Sequence, residues 1–158
     1  MLAGLLLPLL LWACAVSGAD LRGRVVSVSD GDTLKVVSGR KETTIRLAGI
    51  DAPERRQPYS EQAKRALSEM VFGKDVRVVI QDTDRYGRTV GVVYVGRKQV
   101  NLELVRMGLA WHYRQYSDDK DLARAEVEAR KARRGLWADR KPVAPWDWRR
   151  ANAAAARR

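Results

Sequence analysis

The chain has one cysteine, Cys14, and one histidine, His112, among 158 residues. A single thiol can form no internal disulfide. With so few thiol and imidazole donors, a zinc centre is a poor fit. Acidic residues are also in deficit, 19 Asp and Glu against 30 Lys and Arg, for a net charge of +11. That sign suits a polyanionic partner, either nucleic acid or an anionic membrane. The surplus is uneven: residues 120–158 hold 12 Lys/Arg and 5 Asp/Glu, which is +7 of the total. Hydrophobic residues reach 46%, which excludes disorder throughout and leaves enough for one compact domain with its own core.

Long apolar runs are scarce too. The longest covers residues 2–16, is interrupted by Pro8 and is short for a bilayer span. It resembles the apolar region of a secretory signal peptide, although Met1's amino group is its only positive charge. Cleavage after Ala19 is expected, with Ser17 and Ala19 as the small residues. Residues 1–19 are therefore read as a signal peptide and the protein as secreted or periplasmic. "LWAC" loosely resembles a lipoprotein box, with bulky Trp12 where a small residue is expected, so anchoring through Cys14 is the alternative. A membrane-binding role for the basic surface lacks a basic amphipathic helix with large apolar residues.

From residue 22 the pattern is strand-like. "RGRVVSVS" alternates apolar and polar residues, "TLKVV" follows through "DGD", and "TTIRLAGI" follows through a turn at Gly39. Ile45 and Leu47 share one face of this third strand, and Thr44, Arg46 and Ala48 the other. Pro53 and Pro58 make "DAPERRQPYS" a loop. Ser60 is placed to cap a helix carrying Ala63, Ala66, Leu67, Met70 and Val71 on one face and ending at Gly73. "DVRVVIQ" and "TVGVVYV" are two further strands, joined through "DTDRYGR". Two more helices are expected, capped by Asn101 and Ser117 and ending near Gly108 and Gly135. Residues 141–158 read as a basic, Trp- and Arg-containing tail, wrapped on the domain at first and then frayed. The order β-β-β-α-β-β-α-α predicts an α+β fold, mainly β: a five-stranded OB-fold barrel flanked by helices.

Several polar residues fall at strand ends and loops. Singly each has a bland reading: Asp30 and Asp32 capping a turn, Arg46 and Arg88 on solvated faces, Glu54 paired with Arg55 or Arg56. Together they suggest chemistry. Neighbouring strands would bring Asp32 and Asp51 to one end of the barrel. Two carboxylates, a backbone carbonyl and waters make a hard oxygen site suited to Ca²⁺. Glu54 could accept a proton from water, and two arginines could hold a phosphodiester.

"SDGDTLKV", "IRLAGIDAPE", "DRYGRTVGVVYV", "NLELVRMGLAW" and "RRGLWAD" occur in this order. Together, over residues 22–137, they resemble the staphylococcal (thermo)nuclease, or micrococcal nuclease-like, family. The resemblance implies that residues 20–140 are a nuclease domain. It implies that Asp32, Asp51 and the Ala52 carbonyl bind Ca²⁺, with Asp30 hydrogen-bonded to metal waters. It implies that Arg46 and Arg88 contact phosphate and that Glu54 is a general base or orients the attacking water. Ala52 departs from the best-known member, which has threonine; the carbonyl is kept and a hydroxyl is lost. The implied activity is calcium-dependent hydrolysis of DNA and RNA, single-stranded or frayed, at the P–O5′ bond to leave 3′-phosphates, by a monomer. Tyr113 and Tyr116, in "WHYRQY" near Arg114, could stack on an unpaired base. His112 is read as structural and Trp137 as core. The alternative is an OB-type module that binds nucleic acid without cutting it.

Overall fold

The computed structural model describes residues 20–157. The expected leader, its cleavage site and Cys14 lie outside the described residues. β1 (Asp20–Val28) passes through Asp30-Gly31-Asp32 into β2 (Thr33–Ser38). Gly39, at φ 60°, turns the chain into β3 (Lys41–Leu47). Val25, Leu34, Val36, Ile45 and Leu47 point into the core and are at most 1% exposed. Each such side chain contributes about 1.5–3 kcal/mol by leaving water.

After β4 (Ile50–Asp51) and a loop comes α1 (Ser60–Val71), which buries Ala63, Ala66, Leu67 and Val71. β5 (Asp75–Thr83) and β6 (Thr89–Val95) complete the five barrel strands, in the order β3-β2-β1-β5-β6, and a short sixth strand at Lys98–Gln99 extends the sheet beyond β6. A parallel pairing of β3 with β6, Ile45 to Thr89 through Leu47 to Gly91, closes it into a barrel. Register shifts between Val25 and Ser27, and between Ile80 and Asp82, mark bulges that let these strands bend around the barrel. Gly91 sits where a Cβ would stand 2.6 Å from Val78 Cγ1, so only glycine fits the closure.

β7 (Lys98–Gln99), α2 (Val100–Arg106), β8 (Trp111–His112) and α3 (Lys120–Lys131) follow, then a 3₁₀ turn (Gly135–Ala138) and α4 (Pro145–Ala155). The α+β class and the five-stranded barrel agree with expectation. β4, β7, β8 and α4 are additional, and β4 pairs antiparallel with β8. The expected frayed tail is in fact largely this fourth helix, with Pro145 in its first turn, where its missing N–H and fixed φ cost nothing.

The three expected caps are corrected. Ser60 is the first helical residue of α1, and Tyr59, at φ 69°, holds the cap position with no side-chain bond. Asn101 lies inside α2, fully buried. Its amide oxygen accepts from Val93 N–H (3.0 Å), and its nitrogen donates to Ala48 O (2.9 Å) and Gly91 O (3.3 Å). It ties the helix to the barrel closure instead of capping. Asp119 caps α3, accepting from the N–H groups of Asp121 and Leu122, while Ser117 Oγ accepts from Asp119 N–H. Gly135 begins the 3₁₀ turn four residues after α3 ends.

Candidate active site

The Asp-Gly-Asp turn packs inward. A Cβ on Gly31 would stand 2.7 Å from the Cβ atoms of both Ala52 and Ala63, so this glycine lets the turn lie against the loop after β4 and against α1. Leu47 N–H donates to Asp32 O at 2.9 Å, which stitches the end of β3 to the turn. Asp32 and Asp51 are thereby drawn to one end of the barrel, 6% and 1% exposed.

Asp32 Oδ2 accepts from Ala52 N–H at 2.7 Å, and Oδ1 accepts from the Thr33 hydroxyl at 3.2 Å. Arg46, on β3, bridges the two aspartates: its Nη2 lies 3.2 Å from Asp32 Oδ2 and 3.0 Å from Asp51 Oδ1. Its Nη1 donates to the carbonyls of Leu47 (2.8 Å) and Ile50 (2.9 Å). Arg46 is thus a fixed counter-charge, not a solvated strand arginine. Asp30 Oδ1 accepts from Asp32 N–H at 3.0 Å, an Asx turn, so the turn-capping role is also met.

Asp30 is an exposed residue, yet desolvation of its carboxyl and, next, the charge of Asp32 push it up to about 6. The Asp32 charge acts in that direction whatever the depth of Asp30. Burial raises Asp51 above the ordinary carboxylate value, against the opposing pull of Arg149 and Arg46.

From sequence Arg149 is read with Trp146, Trp148 and Arg150 as a nucleic-acid contact or as packing on the barrel, and not as a partner of the carboxylates. It reaches the site from α4: Nη2 donates to Asp51 Oδ2 at 2.9 Å, Nη1 lies 3.3 Å from Asp51 Oδ1, and Nη1 also donates to Glu54. Glu54 is therefore paired with Arg149, not with Arg55 or Arg56, and its side chain is 38% exposed. Gln57 was missed from sequence. Buried in the loop, it accepts from Glu54 N–H at 2.9 Å and donates to Val143 O at 2.7 Å, joining the Glu54 loop to the chain that leads into α4.

Arg88 stands apart. Its Nε and backbone N–H donate to Asp84 at 2.7 and 3.0 Å, and it makes no hydrogen bond or ion pair with Asp32, Asp51 or Glu54. Tyr113 is half-buried and stacks on Trp146, with centroids 5.1 Å apart and planes at 6°. Burial and then the Asp51 charge raise its phenol. Tyr116 is 70% exposed and meets Tyr113 edge to face. His112 is buried with Nε2 3.2 Å from Ser117 Oγ, a structural placement, and Trp137 is core, packed on Trp111 at 4.4 Å.

Among the described residues, no three His, Cys, Asp or Glu side chains form a metal-holding group. What the site offers is a pair of buried carboxylates with the partly exposed carboxylate of Glu54 linked to them through Arg149. That donor set is all hard oxygen and fits a hydrated Ca²⁺-like cation, not zinc. Two guanidinium groups already gather on Asp51, which shows how strongly the cluster draws positive charge.

Known proteins can be set beside this geometry. A family model described as staphylococcal nuclease homologue matches residues 44–139. An Escherichia coli protein named uncharacterized endonuclease is 46% identical over 144 residues, covering 90% of this chain and 94% of that one. A Haemophilus influenzae protein of the same name is 46% identical over 128 residues, 80% of this chain and 72% of the relative. A Shigella flexneri protein named micrococcal nuclease is 43% identical over 145 residues, 85% of this chain and 83% of the relative. With the OB-type barrel and the carboxylate cluster at its end, these matches place the chain in the staphylococcal nuclease family.

Proposed function

We propose that the protein is a metal-dependent nuclease that hydrolyses DNA and RNA without regard to the sugar, with Ca²⁺ as its ion. The observation that carries this reading is the convergence of Asp32, Asp51, Arg46 and Glu54 at one barrel end. Asp32, Asp51 and the Ala52 carbonyl would hold the ion. When bound, the ion supplies Lewis-acid polarisation of a phosphoryl oxygen and lowers the pKa of a coordinated water.

The chain's own residues do the rest. Glu54, exposed on one side, takes a proton from the attacking water or orients it. Arg46 balances the aspartates and would contact the phosphate. Arg88, once it leaves Asp84, offsets charge on the phosphate and the leaving oxygen. Water adds to phosphorus, its proton passing to Glu54 or to solvent, and the P–O5′ bond breaks, the departing 5′-oxygen taking a proton from solvent water. One product carries a 3′-phosphate and the other a 5′-hydroxyl.

The preferred substrate is single-stranded or frayed, since a rim-level site with Tyr113 beside it suits an unpaired base. We further propose that the enzyme acts as a monomer, since one chain supplies every residue named, and that it is exported through residues 1–19. A non-catalytic binding module is the second reading. The carboxylates, Glu54 and both arginines disfavour it, because binding alone needs no acidic cluster facing a polyanion.

Purified protein incubated with single-stranded DNA, with Ca²⁺ or with a chelator, separates the two. Calcium-dependent cutting that leaves 3′-phosphates supports the nuclease. Binding without cutting in the presence of Ca²⁺ sinks it.

A further inference from the structure

Arg149 lies 98 positions from Asp51 in sequence, yet it takes both of that carboxylate's oxygens. Oδ1 already accepts from Arg46 at 3.0 Å. A Ca²⁺ ion needs a carboxylate oxygen at about 2.3–2.6 Å, and a guanidinium seated on the same group opposes it by like-charge repulsion. The two cannot share Asp51 comfortably. Glu54, the second partner of Arg149, is the residue that would handle the attacking water.

The element that delivers Arg149 is lightly attached. Within α4 only Pro145 is buried, Trp146 and Trp148 are half-buried, and everything from Arg149 to Ala155 is exposed. Trp146 and Arg149 are three residues apart and share a helix face. Trp146 covers the ring of Tyr113, while Arg149 covers Asp51 and Glu54. One face of one helix thus lies on both the carboxylates and the aromatic ring beside them. The Gln57 bond to Val143 O pins the chain just before the helix, and beyond that pin α4 is held through Trp146, which stacks on Tyr113 and meets Trp111 edge to face at 5.5 Å.

We propose that Arg149 and the divalent cation are alternative occupants of Asp51, so that α4 is a latch seated on the catalytic carboxylates and displaced when the ion binds. The latch rests on the metal reading of Asp32 and Asp51 given above. Release would free Glu54 and uncover Tyr113 in the same movement. It would also move the basic end of α4 away from its own acidic site and toward the phosphates of a bound strand.

Calcium binding measured by calorimetry on the intact protein and on Arg149→Gln tests it. The variant should bind Ca²⁺ about tenfold more tightly, within the range usual for coupled sites. Trp146→Ala, which loosens the helix and spares the ion pair, should shift affinity in the same direction by less. In the unaltered protein, saturating Ca²⁺ should speed amide exchange across residues 146–155, and Asp51→Asn should abolish that response. Equal Ca²⁺ affinity in all three proteins, or exchange that Ca²⁺ leaves unchanged, overturns the latch and spares the metal site. If neither the unaltered protein nor Arg149→Gln binds Ca²⁺, the metal reading falls and the latch falls with it.

Discussion

Asp51 is gripped by two arginines that belong to different kinds of structure. Arg46 comes from β3; its side chain is 14% exposed and its bonds go to two aspartates and two carbonyls of its own neighbourhood. Arg149 comes from a helix on the rim; its side chain is 41% exposed and its partners lie far away in sequence. The first is part of the fold, because removing it strands two buried charges. The second is an attachment that water can replace. The barrel end is built to keep a cluster of carboxylates together, and the tail is built to come and go.

The largest expected effect falls on turnover. Glu54→Gln should lower the rate by about 10²–10⁴-fold, the usual weight of a positioned acid–base group, while fold and DNA affinity persist. Near-normal turnover would remove Glu54 from the chemistry. On stability the two arginines should separate. Arg46→Ala leaves Asp32 and Asp51 buried without their bridging charge and should cost about 3–5 kcal/mol in urea unfolding. Added Ca²⁺ should recover part of that loss. Arg149→Ala should cost at most about 1 kcal/mol, as half-exposed pairs do. Equal losses would erase the distinction between scaffold and attachment. Between these lies Asn101→Leu, which strands a buried Val93 N–H and frees two carbonyls at the barrel closure; about 1–3 kcal/mol is expected.

These sites also divide by how far the sequence revealed them. The barrel was legible because alternation and turn residues are local signals: Ile45 and Leu47 share the buried face that period-two patterning assigns. The Asp32 and Asp51 pairing was legible because the turn and the loop flank adjacent strands. Caps were not, since a polar residue at a helix start is claimed by whichever partner tertiary packing offers. Asn101 went to the barrel closure, and Asp119 displaced Ser117 by two positions. Arg149 carried no local signal, as nothing near it in the chain contains its acidic partners. Pro145 before "WDW" could have announced a helix start, and hence a face pairing Trp146 with Arg149.

The smallest effect concerns the arginine that stayed outside the cluster. Asp84 accepts from Arg88 Nε (2.7 Å), from Arg88 N–H (3.0 Å) and from Tyr86 N–H (2.9 Å). Desolvation pushes its carboxyl up, but the Arg88 and Tyr86 bonds outweigh it and hold it below its ordinary value of 3.8. A carboxyl depressed by folding stabilises the protein above its unfolded value. That contribution is lost as pH falls through the lower, folded value. Asp84→Asn should therefore destabilise by under about 1 kcal/mol near neutrality, a surface-pair magnitude. The gap to the unaltered protein should close as pH drops below about 4. Urea midpoints for both proteins across that range check the sign; a gap that widens in acid would contradict the depressed carboxyl. The same substitution loosens Asp84's hold on Arg88. If Arg88 must leave Asp84 to meet a phosphate, Asp84→Asn should lower KM slightly at unchanged kcat. A raised KM would mean instead that Asp84 aims Arg88 at the substrate, making Arg88 a second scaffold arginine in the manner of Arg46.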